Sequence, residues 1–139
     1  MIQLVRSFVV ATLLSAGGIV SVALFERGLE IIAPDFSDQR VGFTNVSTIV
    51  QGVAVVIVFF ACGFYGPRWV KGRASGFWLL LPIVSLYALA IMLAPDIYRV
   101  NLEAIGGTLF MHSPFLLPLL ATAIGYACYR ARHAAAQVV

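Results

Sequence analysis

Charged side chains are scarce in this sequence. Lysine and arginine together number 9, and aspartate and glutamate 6, among 139 residues, so only 11% of the chain is charged while 61% is hydrophobic. A soluble domain usually carries about 25% charged residues. The chain therefore has too little polar surface to cover a globule in water. Its mean hydropathy of +0.98 predicts a protein that uses the lipid bilayer as its solvent.

The residues that build catalytic and metal sites are also few. Cys62 and Cys128 are the only cysteines, too few for a disulfide framework, and we expect them to pack as small apolar residues. No group of histidine, cysteine and carboxylate side chains has the spacing of a metal site, and no thiol has a base at the same depth. The sequence therefore predicts no catalytic residue, no metal and no cofactor, and a protein that is not an enzyme.

Four long apolar runs dominate the chain, over residues 7–25, 46–65, 77–94 and 109–129. Each has about the 20 residues that a helix needs to cross a hydrocarbon core. None contains Asp, Glu, Lys or Arg. Strands of a membrane barrel would be about ten residues long and would alternate polar with apolar positions. The sequence predicts an all-α integral membrane protein, with four transmembrane helices in a single domain over residues 1–139.

The charges outside these runs predict an orientation. Six basic residues would lie on the side of the two termini, namely Arg6, Arg68, Lys71, Arg73, Arg130 and Arg132. The other side would hold three arginines and every carboxylate of the chain. Because short cytoplasmic loops are enriched in Lys and Arg, we expect both termini in the cytoplasm, and a multi-pass protein of the bacterial inner membrane. The basic residues then face membrane lipids, and we expect no nucleic acid partner.

A polar stripe opens the second run and includes Asn45, Thr48 and Gln51. An amide in lipid without a partner is costly, so the stripe should face protein or water. One interpretation is the lining of a solute or ion path that enters from outside. The other is hydrogen bonding between helices, worth about 0.6 kcal/mol for each contact.

The loop after the first run is rich in carboxylates, which are Glu26, Glu30, Asp35 and Asp38. Since all acidic residues fall on the predicted outer side, we expect this surface to offer a specific partner the most contacts. Glu26 and Glu30 have the i,i+4 spacing of one helix face. We therefore expect the first helix either to continue beyond the membrane or to turn onto its surface.

Small residues recur at helical spacing in the first and fourth runs. Ser15 and Gly18 share one register, and Ala121 and Gly125 are four residues apart. Small side chains let helix backbones approach closely in membranes. We predict that these residues form helix-packing faces, within one chain or between chains.

The start of the fourth run allows two interpretations. Ser113 followed by Pro114 resembles an N-cap and a first helical position, which predicts a late start of the helix at Pro114. Alternatively, the helix begins near Ala104 and kinks at its prolines. His112 is the one histidine near this part of the membrane, and a ligand role for haem or quinone would need further ligands that the sequence does not place nearby.

Two functional hypotheses follow. The first is a non-enzymatic accessory or structural subunit that packs with itself, as a homo-oligomer, or with other membrane subunits. The small-residue faces and the lack of ionisable groups in the runs favour it. The second is a small oligomeric channel or transporter with a polar path along Asn45, Thr48 and Gln51. Without a carboxylate inside the first run, coupling to protons through a membrane-embedded acid is not expected.

Overall fold

A computed structural model of the chain describes residues 2–33, 39–41, 44–70, 74–101 and 104–136. Over these residues the protein is helical, as predicted, with α1 (Ile2–Ile32), α2 (Val46–Tyr65), α3 (Ser75–Leu93) and α4 (Ile105–Ala135). All four helices are long and apolar enough to cross a membrane. A 3-10 turn at Gly66–Arg68 follows α2. Before α2, β1 (Arg40–Val41) pairs with β2 (Thr44–Asn45) in an antiparallel ladder of two residues on each side.

The first and the last helix, α1 and α4, are longer than the apolar runs that predicted them. α2 has the same bounds as the second run, whereas α1 and α4 each contain 31 residues. α1 continues past Glu26 without a break, so the first helix does not turn at the end of its apolar run. At 1.5 Å per residue it is about 46 Å long, which exceeds a hydrocarbon core of about 30 Å.

The late start predicted for the fourth helix is wrong. α4 begins at Ile105 and includes Pro114 and Pro118 in its interior. Pro114 has no N–H, so the carbonyl of Phe110 loses its usual helical donor. The Ser113 hydroxyl donates to that carbonyl instead, at 2.7 Å. Ser113 thus bonds back into the preceding turn, where an N-cap side chain would have bonded forward.

Around the bundle the helices follow the order α1, α2, α4, α3. The most extensive contact joins α2 to α4, while α2 and α3 lie diagonally opposite and barely touch. Cross-helix contacts such as Gly18 with Phe59 and Ser75 with Tyr126 show that successive helices run in opposite directions. The neighbours α2 and α4 are therefore parallel, as are α1 and α3.

The two ends of the bundle differ in charge. One end, called the acidic end here, contains the C-terminal ends of α1 and α3 and the N-terminal ends of α2 and α4. It carries every described carboxylate, namely Glu26, Glu30 and Asp96, together with Arg27, Arg40 and Arg99. The opposite end, called the basic end, carries Arg6, Arg68, Arg130 and Arg132.

The basic end is closed by the connection between α2 and α3. Because these helices are diagonal neighbours, the connection crosses beneath the bundle. Its Val70 is fully buried and packs with Ala11 and Leu79 in a core cluster. Gly66 is buried as well, and a β-carbon there would lie 2.7 Å from a methyl group of Leu79. The described part of this connection therefore fills the space between the helices at this end.

The exterior of the bundle is apolar on all four helices. Leu13, Ile57, Met92 and Leu120 are among many large hydrophobic side chains that are more than half exposed. In the most apolar stretch of each helix, at most 22% of the residues are buried inside the bundle. Soluble monomers rarely expose apolar surface so extensively.

Candidate ligand-binding cleft

An open cleft of about 860 Å³ occupies the half of the bundle nearest the acidic end. It lies between α1, α2 and α4 and is bordered by the residues that follow α3. The side chains that line it are Ile19, Val22, Ala23, Glu26, Thr48, Ile49, Gln51, Gly52, Val55, Phe59, Ile97, Tyr98, Phe110, Met111, Ser113, Pro114, Leu117 and Pro118. The lining is mainly apolar, with a few polar groups.

The cleft ends against a packed core. Phe59 lines the cleft and is only 3% exposed, since it also packs with Ile83 and Ala121. On the side of Phe59 nearer the basic end, the backbones of α2 and α4 are in direct contact. A β-carbon at Gly63 would overlap the carbonyl oxygen of Thr122, and the same contact relates Gly125 to the carbonyl of Phe60. The cleft is thus closed toward the basic end.

A hydrogen bond between α1 and α2 fixes the polar part of the cleft. The side-chain amide of Gln51 donates to Oε2 of Glu26 at 3.0 Å. Among the described residues that line the cleft, Glu26 is the charged one. Its sequence neighbour Arg27 instead forms an exposed ion pair with Glu30, at 2.8 Å. The two carboxylates of this helix therefore have different surroundings.

The local sequence explains why Glu26 faces inward. On α1 the buried residues recur at helical spacing, at Ser7, Ala11, Ser15, Gly18 and Val22. Glu26 follows Val22 by four residues and therefore continues the same face. Sequence reasoning missed this role, although the i,i+4 step from the packing face was a signal that could have found it.

Of the polar stripe on α2, the structure brings Thr48 and Gln51 into the cleft. Asn45 lies apart from them, in β2 at the N-cap position of α2, where it is exposed and makes no side-chain cap. The i,i+3 step from Thr48 to Gln51 keeps these two on one face of the helix.

The carboxylates expected on the outer surface separate into three groups. Glu26 lines the cleft, while Glu30 lies on the exposed side of α1 with Arg27. Asp35 and Asp38 lie outside the residues that the structure describes.

The small residues lie at helix contacts. Ser15 and Gly18 are buried on α1, and a β-carbon at Gly18 would lie 3.2 Å from the ring of Phe59. On α4, Ala121 packs in the core with Phe59, and Gly125 meets the backbone of α2.

His112 lies in an aromatic cluster beside the cleft. It is 6% exposed, and its Nδ1 shares a hydrogen bond with the Tyr87 hydroxyl of α3. The rings of Tyr98 and Phe115 complete the cluster. Over the described residues no three histidine, cysteine or carboxylate side chains come together as a metal site. Tyr87 was missed from the sequence, although a hydroxyl within an apolar run needs a partner when buried.

The fold and the cleft define a class of protein: an apolar-surfaced helical bundle with a mainly apolar cleft that contains a hydrogen-bonded pair, Glu26 and Gln51. No family model, curated protein sequence or solved structure matches the chain.

Proposed function

We propose that this is an integral membrane protein whose cleft binds a small solute, as the binding site of a small oligomeric channel or transporter. The observation that carries the proposal is the open cleft of about 860 Å³ with Glu26 and Gln51 in it. In this proposal all four helices cross the bilayer, both termini lie in the cytoplasm, and the acidic end faces outward.

The apolar exterior supports insertion of all four helices. In water its side chains would expose a large hydrophobic area, which is unfavourable in free energy. Insertion into a bilayer removes that cost. The arginines of the basic end support the orientation, because cytoplasmic ends of membrane proteins are enriched in Lys and Arg.

The shape and lining of the cleft support solute binding. Small-molecule sites are concave, mostly apolar, and hold a few well-placed polar groups in about 300–1,000 Å³. The cleft fits this description. Transport across the membrane would further require α2 and α4 to separate below Phe59, where the backbones now touch at Gly63 and Gly125.

Cysteine labelling tests the orientation. In a variant with Cys62 and Cys128 replaced by serine, Gln39→Cys reports the acidic end and Ala136→Cys the basic end. We expect a membrane-impermeant maleimide to label Gln39→Cys in intact spheroplasts, and Ala136→Cys only after the membrane is permeabilised. The opposite pattern would reverse the proposed topology.

Solute flux tests the path. Proteoliposomes loaded with glycerol, tetramethylammonium or acetate should release at least one of these probes faster than empty liposomes. Thr48→Leu and Gln51→Leu should slow that release, because both residues line the cleft. Asn45→Leu is the matched control, since Asn45 belongs to the same polar stripe but lies outside the cleft. Equal effects of all three variants, or no release above background, would contradict the proposed path.

A subunit role remains a second candidate, favoured by one exposed face of α1. Gly17, Ser21 and Gly28 share this face, and a β-carbon at either glycine would meet nothing within 4 Å. A neighbouring helix could approach closely there. Gly17→Phe should then weaken self-association or co-purification in mild detergent. A wild-type protein that runs as a lone monomer and co-purifies with nothing would refute this role.

A further inference from the structure

We propose that the ligand of the cleft is a lipophilic organic cation, an ammonium or phosphonium ion with an apolar body. This inference rests on the proposed function, since it names the class of solute that the same cleft takes.

The charge of the cleft favours a cation. Glu26 contributes a carboxylate, and its cross-helix partner Gln51 is a neutral amide. The described ion pair at this end of the bundle joins Arg27 to Glu30 on the exposed side of α1, so among the described side chains the hydrogen-bond partner of Glu26 is a neutral amide and not a cation. An anion would be repelled by that charge, and the repulsion is strong where water is partly excluded.

The walls of the cleft favour an organic ion over a metal ion. Calcium needs six to eight oxygen ligands and magnesium a near-octahedral set, usually with carboxylates among them. The described lining of the cleft has one carboxylate, and its other side-chain oxygens belong to the neutral residues Thr48, Gln51, Tyr98 and Ser113. Apolar groups of a ligand that are buried against the mainly apolar walls stabilise the complex, because apolar surface is removed from water. The rings of Phe59, Tyr98 and Phe110 also line the cleft, and aromatic faces attract organic cations.

The experiment uses two probes of the same shape and opposite charge, tetraphenylphosphonium and tetraphenylborate. Their binding to the full-length protein in nanodiscs is measured by equilibrium dialysis, with empty nanodiscs as background. We expect the phosphonium ion to bind about tenfold or more tightly than the borate ion, because the Glu26 carboxylate attracts the cation and repels the anion.

Variants then locate the charge. Glu26→Gln should weaken phosphonium binding about tenfold or more, because the attracting charge is gone. Glu30→Gln is the matched control and should weaken it far less, since Glu30 does not line this cleft and its charge is paired with Arg27. Gly52→Phe, which fills the cleft opposite Leu117, should abolish binding. Circular dichroism checks that each variant is folded.

The outcomes separate the inference from the proposed function. If the borate ion binds as tightly, or Glu26→Gln has no effect, the cation inference is overturned, while loss of binding in Gly52→Phe still supports a solute cleft. If Gly52→Phe leaves phosphonium binding intact, the site lies elsewhere and both ideas fail. If neither ion binds, the cation inference is overturned. The proposed function is then tested independently by whether glycerol, tetramethylammonium or acetate is released from the proteoliposomes.

Discussion

Gly63 of α2 lies directly against the backbone carbonyl of Thr122 in α4, with no room for a β-carbon between them. Three residues before Gly63, the carbonyl of Phe60 meets Gly125 in the same way. Each of the two helices therefore places a glycine against a backbone carbonyl of the other. In a membrane, where apolar helix surfaces gain little from leaving lipid, such close backbone approach is a main source of helix association.

Gly63→Ala is expected to destabilise the bundle by about 1–3 kcal/mol, the usual cost of overpacking. The added methyl group would force α2 away from α4, because the atom it meets is backbone and cannot rotate aside. SDS-induced unfolding followed by circular dichroism measures the change. Gly107→Ala is the control: it adds the same methyl group where nothing lies within 4 Å, so its greater helix propensity should leave stability equal or higher. Equal losses at both positions would contradict the proposed packing role.

Val70→Ala should cost about 1–2 kcal/mol, because it removes two methyl groups from a fully buried position and leaves a void. The same substitution at Val100, a loop valine that is 63% exposed, should change stability by less than about 0.5 kcal/mol. Unfolding in SDS again provides the measurement. If Val70 behaved like Val100, the connection between α2 and α3 would not fill the space between the helices at the basic end.

The hydrogen bond between Tyr87 and His112 should be detectable in a double-mutant cycle. Tyr87→Phe and His112→Phe each remove one partner and leave the other polar group buried. We expect a coupling energy of about 1 kcal/mol, within the range for hydrogen bonds between membrane helices. Tyr98→Phe preserves the ring that contacts His112 and should show a smaller coupling to His112→Phe. Additive effects of the first pair would mean that the bond contributes nothing to stability.

Ser113→Ala should destabilise α4 by about 0.5–1 kcal/mol, since the Phe110 carbonyl loses the donor that replaces the missing N–H of Pro114. In a Pro114→Ala background the backbone N–H is restored and the serine should matter less. Unfolding free energies of the four proteins test this dependence. A serine effect of the same size in both backgrounds would show that the hydroxyl does not compensate for the proline.

The positions of the helices could be predicted because hydropathy alone determines them. A run of about 20 apolar residues such as 46–65 becomes a helix of the same length. The ends of α1 and α4 were harder to predict, since polar residues such as Glu26 and Arg27 interrupt an apolar run without interrupting the helix. At Ser113 the sequence pointed to an N-cap because a serine before a proline is good capping chemistry, yet the same hydroxyl can bond backward within a continuous helix.

The arrangement of the helices and the cleft could not be predicted. These helices are apolar on every side, so no hydrophobic stripe marks the face that turns inward. Gln51 and Glu26 are 25 residues apart, and only the packing of α1 against α2 brings them together. The polar stripe singled out Thr48 and Gln51, which line the cleft in the structure, but it could not show that Asn45 lies outside the cleft.

The helix order α1, α2, α4, α3 has a consequence for how the protein is made. α2 and α3 are synthesised one after the other, yet they do not become packing partners. The main partner of α2 is α4, which is synthesised after α3. Until α4 is present, the backbone of α2 around Gly63 lacks the helix against which it packs. The bundle therefore cannot form its closest contact before α4 is made, and a chain cut short before residue 105 would lack that contact.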